Sequence, residues 1–136
     1  MNQTKYRNAG NYKSVMETDN IDVAVPNALT SIAVIQTFGF KRIYVQIKVA
    51  GNALSAFKIS AKATSNATIE PSVLYSTASD FVAPAGLIIG TSGDLTSQPV
   101  GLGWLIMDVE GLNEVTLEAI SASAAGSVVS VFVGGV

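Results

Sequence analysis

Apolar residues recur at every second position along most of this chain, and that period decides what it can fold into. Ile43, Val45, Ile47 and Val49 alternate with Tyr44, Gln46 and Lys48, which sets the aliphatic groups on one face of an extended strand. Phe57, Ile59, Ala61 and Ala63 alternate with Lys58, Ser60, Lys62 and Thr64 in the same way. Between them Ala50-Gly-Asn-Ala53 forms a turn signal, so the two runs read as a hairpin. Further strand signals lie at 21–25, 31–36, 72–76, 103–109, 115–121 and 127–133. They are separated by Pro26-Asn27, Gly39, Pro71, Gly111-Leu-Asn113 and Ala124-Ala-Gly126.

About eight short strands with turns between them, and no sustained helical stripe with caps, predict an all-β fold. The expected architecture is an antiparallel β-sandwich or a jelly-roll-like barrel. The stretch from Ala78 to Pro99, rich in Gly, Ser, Thr and Pro, reads as long loops around a short strand at 87–89. The chain is 136 residues long, which suits one domain. Residues 1–16 have little to bury beyond Tyr6, Tyr12, Val15, Met1 and Met16. They read as a flexible amino-terminal arm on a single domain spanning 17–136.

Composition narrows the chemistry. There is no His and no Cys, so Ser-His-Asp and Cys-His catalysis, imidazole or thiolate metal ligation and disulfides are all excluded. No cofactor motif is found, and the reading is of a protein that is not an enzyme. Asp108 and Glu110 stand two apart near a strand end, as paired glycosidase carboxylates would, but no aromatic-rich sugar cleft accompanies them. Calcium held by Asp94, Asp108, Glu110 or Glu114 stays open, without an Asp-x-Asp-x-Asp-Gly loop to support it. Gly90-Thr-Ser-Gly93 and Gly101-Leu-Gly103 lack the context of a phosphate cradle. The Lys58/Ser60 pair is accounted for by strand alternation.

Three features point instead to contact with other macromolecules. Some strands are apolar on both faces: Leu105, Met107 and Val109 oppose Trp104 and Ile106, while Val129, Val131 and Val133 oppose Val128 and Phe132. A two-sheet sandwich needs one inner face per sheet, so a loop, the arm or another subunit must cover the second. Charge is also segregated along the chain. Residues 1–62 hold all eight basic groups and three acids, whereas residues 63–136 hold seven acids and no base. If those halves formed separate surfaces, copies could dock head to tail.

Finally, the arm sets Lys5, Arg7 and Lys13 beside Tyr6 and Tyr12, a pattern suited to ordering on a partner. With a calculated pI near 4.9, dedicated nucleic-acid binding is not expected. The candidate contact residues are therefore Lys5, Tyr6, Arg7, Tyr12 and Lys13 of the arm, with Trp104 and Phe132 as anchors on the body. No secretory signal or membrane helix is read in the sequence, and a cytoplasmic site of synthesis is expected.

Several segments also carry a likeness. These are Leu54-Ser-Ala-Phe-Lys-Ile59, Asp80-Phe81, Gly90-Thr-Ser-Gly-Asp94, Gly103-Trp-Leu-Ile-Met-Asp-Val-Glu-Gly111 and Val128-Val-Ser-Val-Phe-Val-Gly-Gly135. Over about residues 40–136 the chain resembles small virion structural proteins of tailed bacteriophages and prophages. The resemblance implies a non-enzymatic particle component made in the host cytoplasm, with a capsid auxiliary or decoration protein as the best fit. Such proteins are small β domains, often trimeric, that clamp the major capsid protein, so a homo-oligomer, with a trimer favoured, is expected. A tail, neck or baseplate ring component and a carbohydrate- or cell-surface-binding module are the alternatives.

Overall fold

The computed structural model describes residues 2–9, 13–76, 89–92 and 101–136. These form ten strands: β1 (Asn2–Ala9), β2 (Lys13–Val25), β3 (Thr30–Gln36), β4 (Arg42–Ala50), β5 (Leu54–Lys62), β6 (Ser72–Ser76), β7 (Ile89–Ser92), β8 (Gly101–Asp108), β9 (Glu114–Ser121) and β10 (Ser127–Gly135). Every pairing is antiparallel. One sheet has the order β1-β2-β10-β4-β8-β7 and the other β3-β9-β5-β6. Setting β1 and β7 aside leaves β2-β10-β4-β8 facing β3-β9-β5-β6. That is the strand order of a jelly roll, two Greek keys folded over a common core. The all-β sandwich expected from the alternation is the observed fold, with β1 and β7 as additions at the two edges of one sheet.

The core forms where the inner faces meet. Ile43, Val45 and Ile47 of β4, Leu105 and Met107 of β8, and Val129 and Val131 of β10 line it from the six-stranded sheet. Ile32 and Ile35 of β3, Phe57 and Ile59 of β5, and Val115 and Leu117 of β9 line it from the other. Each set is one parity of its strand except in β3, where a register shift between Ser31 and Ala33 puts Ile32 and Ile35 both inward; elsewhere the faces read from the alternation are the buried ones. Among the described residues, Phe57 is the one aromatic side chain in the fully buried core; branched aliphatics fill the rest.

The hairpin expected between the fourth and fifth strands is not formed. β4 lies in the six-stranded sheet and β5 in the four-stranded one, and the turn between them carries the chain across the sandwich. Both strands are apolar on one face only, and placing them in opposite sheets buries those faces against each other. The turns after β2 and β9 cross in the same direction or its reverse, and the three corners are joined. Asn52 donates through Nδ2 to the Gly126 carbonyl at 2.7 Å, and Ser127 Oγ donates to the Asn52 carbonyl at 2.6 Å. Ser121 Oγ lies 2.7 Å from Ser127 Oγ. Asn27 Nδ2 reaches the Ser121 carbonyl at 2.9 Å, and the Ser121 N–H donates to the Pro26 carbonyl at 3.0 Å. Gly126 has φ +83, and a Cβ there would stand 3.1 Å from the Val25 carbonyl oxygen, so this corner requires glycine twice over.

At the opposite end Thr37, fully buried, does similar work. Its N–H donates to the Asn113 carbonyl at 3.0 Å and its Oγ1 to the Leu112 carbonyl at 3.1 Å. Asn113 in turn donates its N–H to the Lys62 carbonyl at 2.8 Å. Among the described residues no buried side-chain nitrogen or oxygen lacks a partner.

The segment read as an arm contributes strand structure. Residues 2–9 form β1 and pair antiparallel with 13–20 of β2, from Asn2 opposite Asn20 to Ala9 opposite Lys13. A strand needs no buried side chains to add to an edge; the backbone groups of β2 supply the ladder. Of the expected long loop, only β7 at Ile89–Ser92 is described, pairing with β8 and beginning where the short strand at 87–89 was expected to end.

Candidate interaction surface

The two outer faces of the sandwich differ in character. On the four-stranded sheet the outward positions are mainly polar and mutually paired. Lys58 and Ser31 flank Glu118 in register, with Lys58 Nζ 3.8 Å from Glu118 Oε1. Lys62 and Gln36 flank Glu114, and Gln36 donates to its carboxylate at 3.0 Å.

The six-stranded sheet presents something else. Tyr44 of β4 and Ile106 of β8 are register partners, 38% and 37% exposed, and Val128 of β10 is 39% exposed. Half-buried Phe132 stands at the middle of β10, between Gln46 of β4 and Asp19 of β2. The strands read as apolar on both faces, β8 and β10, thus belong to one sheet and flank β4. Their second apolar face is gathered on a single side of the molecule. Because β10 is apolar on both sides, its inner Val129, Val131 and Val133 fill the core while Val128 and Phe132 face outward.

The flanks of this face carry opposite character. Outward positions of β2 are Glu17, Asp19, Ala24 and, at the bulge, Ile21 and Asp22; those of β4 are Arg42, Tyr44, Gln46, Lys48 and Ala50. One strand is thus lined with acceptors and the other with donors, with β10 between them. Asp22 sits at a bulge where Ile21 and Asp22 together oppose Ser130, and has φ 55. Near the end of the sheet Arg42 Nε contacts Asp108 Oδ1 at 2.8 Å, both side chains being well exposed. The hydrogen bond that Arg42 donates to Asp108, then that to Tyr44, raises the guanidinium pKa above its ordinary value.

The expected contact residues divide accordingly. Phe132 lies at the centre of this face. Trp104 is in β8, with Gln46 and Ser92 as register partners, so it belongs to the same sheet. Lys5, Tyr6 and Arg7 are in β1, opposite Glu17, Met16 and Val15, and Lys13 begins β2. Tyr12 lies outside the described residues. The structure therefore brings six of the seven into one sheet, β1 at one edge and β8 next to the other. What the sequence reading missed is the row of acids on β2. The signal was present, because Glu17 and Asp19 alternate with Thr18 and Asn20 at the strand period.

Charge segregation along the chain does not become segregation in space. Arg42 meets Asp108, and Lys58 meets Glu118, so bases of the first half pair with acids of the second across neighbouring strands. Interleaving of the two Greek keys causes this: β8 and β9 insert beside β4 and β5. The pair Asp108 and Glu110 lines an open groove of about 580 Å³ with Lys41, Arg42, Tyr44 and Val136. Asp108 is engaged by Arg42, and Glu110 lies in the turn after β8 rather than on the strand. Among the described residues no group of three or more Asp or Glu side chains is placed to hold a metal; Asp94 lies outside them.

No family model matches the chain, and no curated protein does. Among solved structures the chain is similar to the crystal structure of the SPBc2 prophage-derived protein YomS, with a TM-score of 0.52 and 14% sequence identity. The match covers 90% of this chain and 95% of that one. At that identity the likeness is one of fold, and it spans most of both chains. The chain is an all-β sandwich of a kind also carried by a prophage.

Proposed function

We propose that this chain is a non-enzymatic structural component of a bacteriophage particle, most closely a decoration or stabilisation protein on the major capsid lattice. The observation that carries the reading is the second apolar face of the six-stranded sheet, on a sandwich whose full-length likeness is to a prophage-derived protein. A domain whose described buried polar side chains are satisfied internally, and which sets Tyr44, Ile106, Val128 and Phe132 together on one sheet, is suited to lie against protein. Lys5, Tyr6, Arg7, Tyr12, Lys13, Trp104 and Phe132 are the residues proposed to make such contacts. The protein would reside in the virion after synthesis in the host cytoplasm, and would need no cofactor.

Co-sedimentation tests this. Purified protein mixed with expanded phage heads is expected to pellet with them at a fixed stoichiometry. Binding to isolated tails or baseplates instead would move the protein to the alternative location. Binding to neither would remove the reading.

A further inference from the structure

From the outer face of the six-stranded sheet we infer a self-complementary interface: two copies of this chain pack face to face about a two-fold axis running along β10. The argument begins with the order of character across three neighbouring strands. β2 presents Glu17, Asp19 and, at its bulge, Ile21 and Asp22 over the buried Ser130; β10 presents Val128, Phe132 and Gly134; β4 presents Arg42, Tyr44, Gln46 and Lys48. An isologous contact requires a patch that matches its own rotated image. Rotation about an axis parallel to β10 lays the acidic strand of each copy over the donor strand of the other, and sets Phe132 against Phe132. In register terms, Asp22 then faces the copy's Lys48, Asp19 its Gln46 and Glu17 its Tyr44. Rotation about an axis across the strands would instead stack β2 on β2, acid on acid. Charge therefore selects one of the two ways in which the sheets can meet.

Two further observations fit this occupant. Among the described residues, Asp19 and Lys48 make no ion pair within the chain, so each carries a charge that a rotated copy can answer. The area is also sufficient. With the axis along β10, five strands of each copy overlap, β1 on β8, β2 on β4 and β10 on itself; at roughly 4.8 Å apart with about eight residues each at roughly 3.4 Å, they cover on the order of 650 Å². That falls within the roughly 600–1,000 Å² per partner of a stable interface, toward its lower end. The four-stranded sheet does not show the same order of acid, apolar and base across three strands: Lys58 is paired with Glu118, and Glu114 accepts from Gln36.

The inference concerns self-association alone and does not depend on the proposed place in a virion; head binding and pairing can each fail without the other. The absence of cysteine makes the geometry directly testable, since a single introduced thiol reports its own neighbourhood. Sedimentation velocity of the full chain is expected to show a species of twice the 14.1 kDa chain mass. With a bis-maleimide cross-linker spanning about 10 Å, the ordinary separation of packed sheets, Phe132→Cys, on the axis, is expected to give a covalently linked dimer. Val34→Cys, exposed on the opposite sheet, is expected to stay monomeric on a denaturing gel. Lys48→Glu sets like charge against Asp22 of the copy and is expected to raise the dimer dissociation constant about tenfold or more, with an unchanged thermal melt. A monomer at all concentrations, a trimer, or a dimer cross-linked through residue 34 and not through 132 would each overturn the inference.

Discussion

The hydroxyl of Ser130 on β10 accepts the Asp22 N–H at 3.0 Å, and its oxygen stands 3.4 Å from Asp22 Oδ1. One serine thus holds the bulge at which β2 takes an extra residue, and the left-handed φ of Asp22 is secured from the neighbouring strand. The bulge lets β2 keep Thr18 and Asn20 directed inward before it and Val25 after it. Without the extra residue the parity would invert, and Val25 would leave the core.

Ser130→Ala is expected to destabilise the fold by about 1 kcal/mol, the ordinary net worth of a hydrogen bond to a backbone donor. Urea melts with an unchanged slope and a lowered midpoint would show it. An unchanged midpoint would mean that the ladder alone maintains the bulge.

Ser127→Ala removes a hydroxyl shared between Asn52 and Ser121 and leaves the largely buried corner short of a donor. The expected cost is about 1–3 kcal/mol. Asn52→Ala, which releases the Gly126 carbonyl from the same corner, is expected to be less than additive with it in a double-mutant cycle. Full additivity would show that the two residues act on separate structures.

Ile47→Asp places a charge on the inner face of β4 at a position 1% exposed. Burial of an unpaired carboxylate costs several kcal/mol, comparable with the roughly 5–15 kcal/mol of a whole domain, so the variant is expected not to fold at 25 °C. Far-UV circular dichroism lacking the strand signal would report this. A native spectrum with a cooperative melt would contradict the assignment of the faces.

Deletion of residues 1–9 removes β1, and the core side chains among the described residues all lie beyond it. The remaining sandwich is expected to fold with its thermal midpoint little changed. The exposed edge of β2 should raise its tendency to associate through backbone pairing. Light scattering after incubation compares the two forms; loss of folding would show that β1 is structurally required.

Strand faces were legible because alternation is local: Ile43, Val45 and Ile47 had to lie together wherever their strand went. Partnership was not legible in the same way. The turn 50–53 permits either a hairpin or a crossing, and the choice is made by β10, which inserts beside β4 some 75 residues later in the chain. Likewise, nothing near Asp22 announces a bulge, since its anchor Ser130 is 108 positions away. The doubly apolar strands could be recognised individually as needing cover. That β8 and β10 share a sheet, with the acids of β2 on one flank and the donors of β4 on the other, is a property of the jelly-roll order alone.

The corner cluster that joins Asn27, Asn52, Ser121 and Ser127 spans nearly the length of the chain, with 94 positions separating its first bond's partners. Such contacts are reached only after long loop closures, which makes the folding of this domain slow and its early collapsed states rich in unpaired edges. A nascent chain that has yet to reach residue 127 cannot seal that end of the molecule, and during synthesis its exposed strands are a target for chaperones.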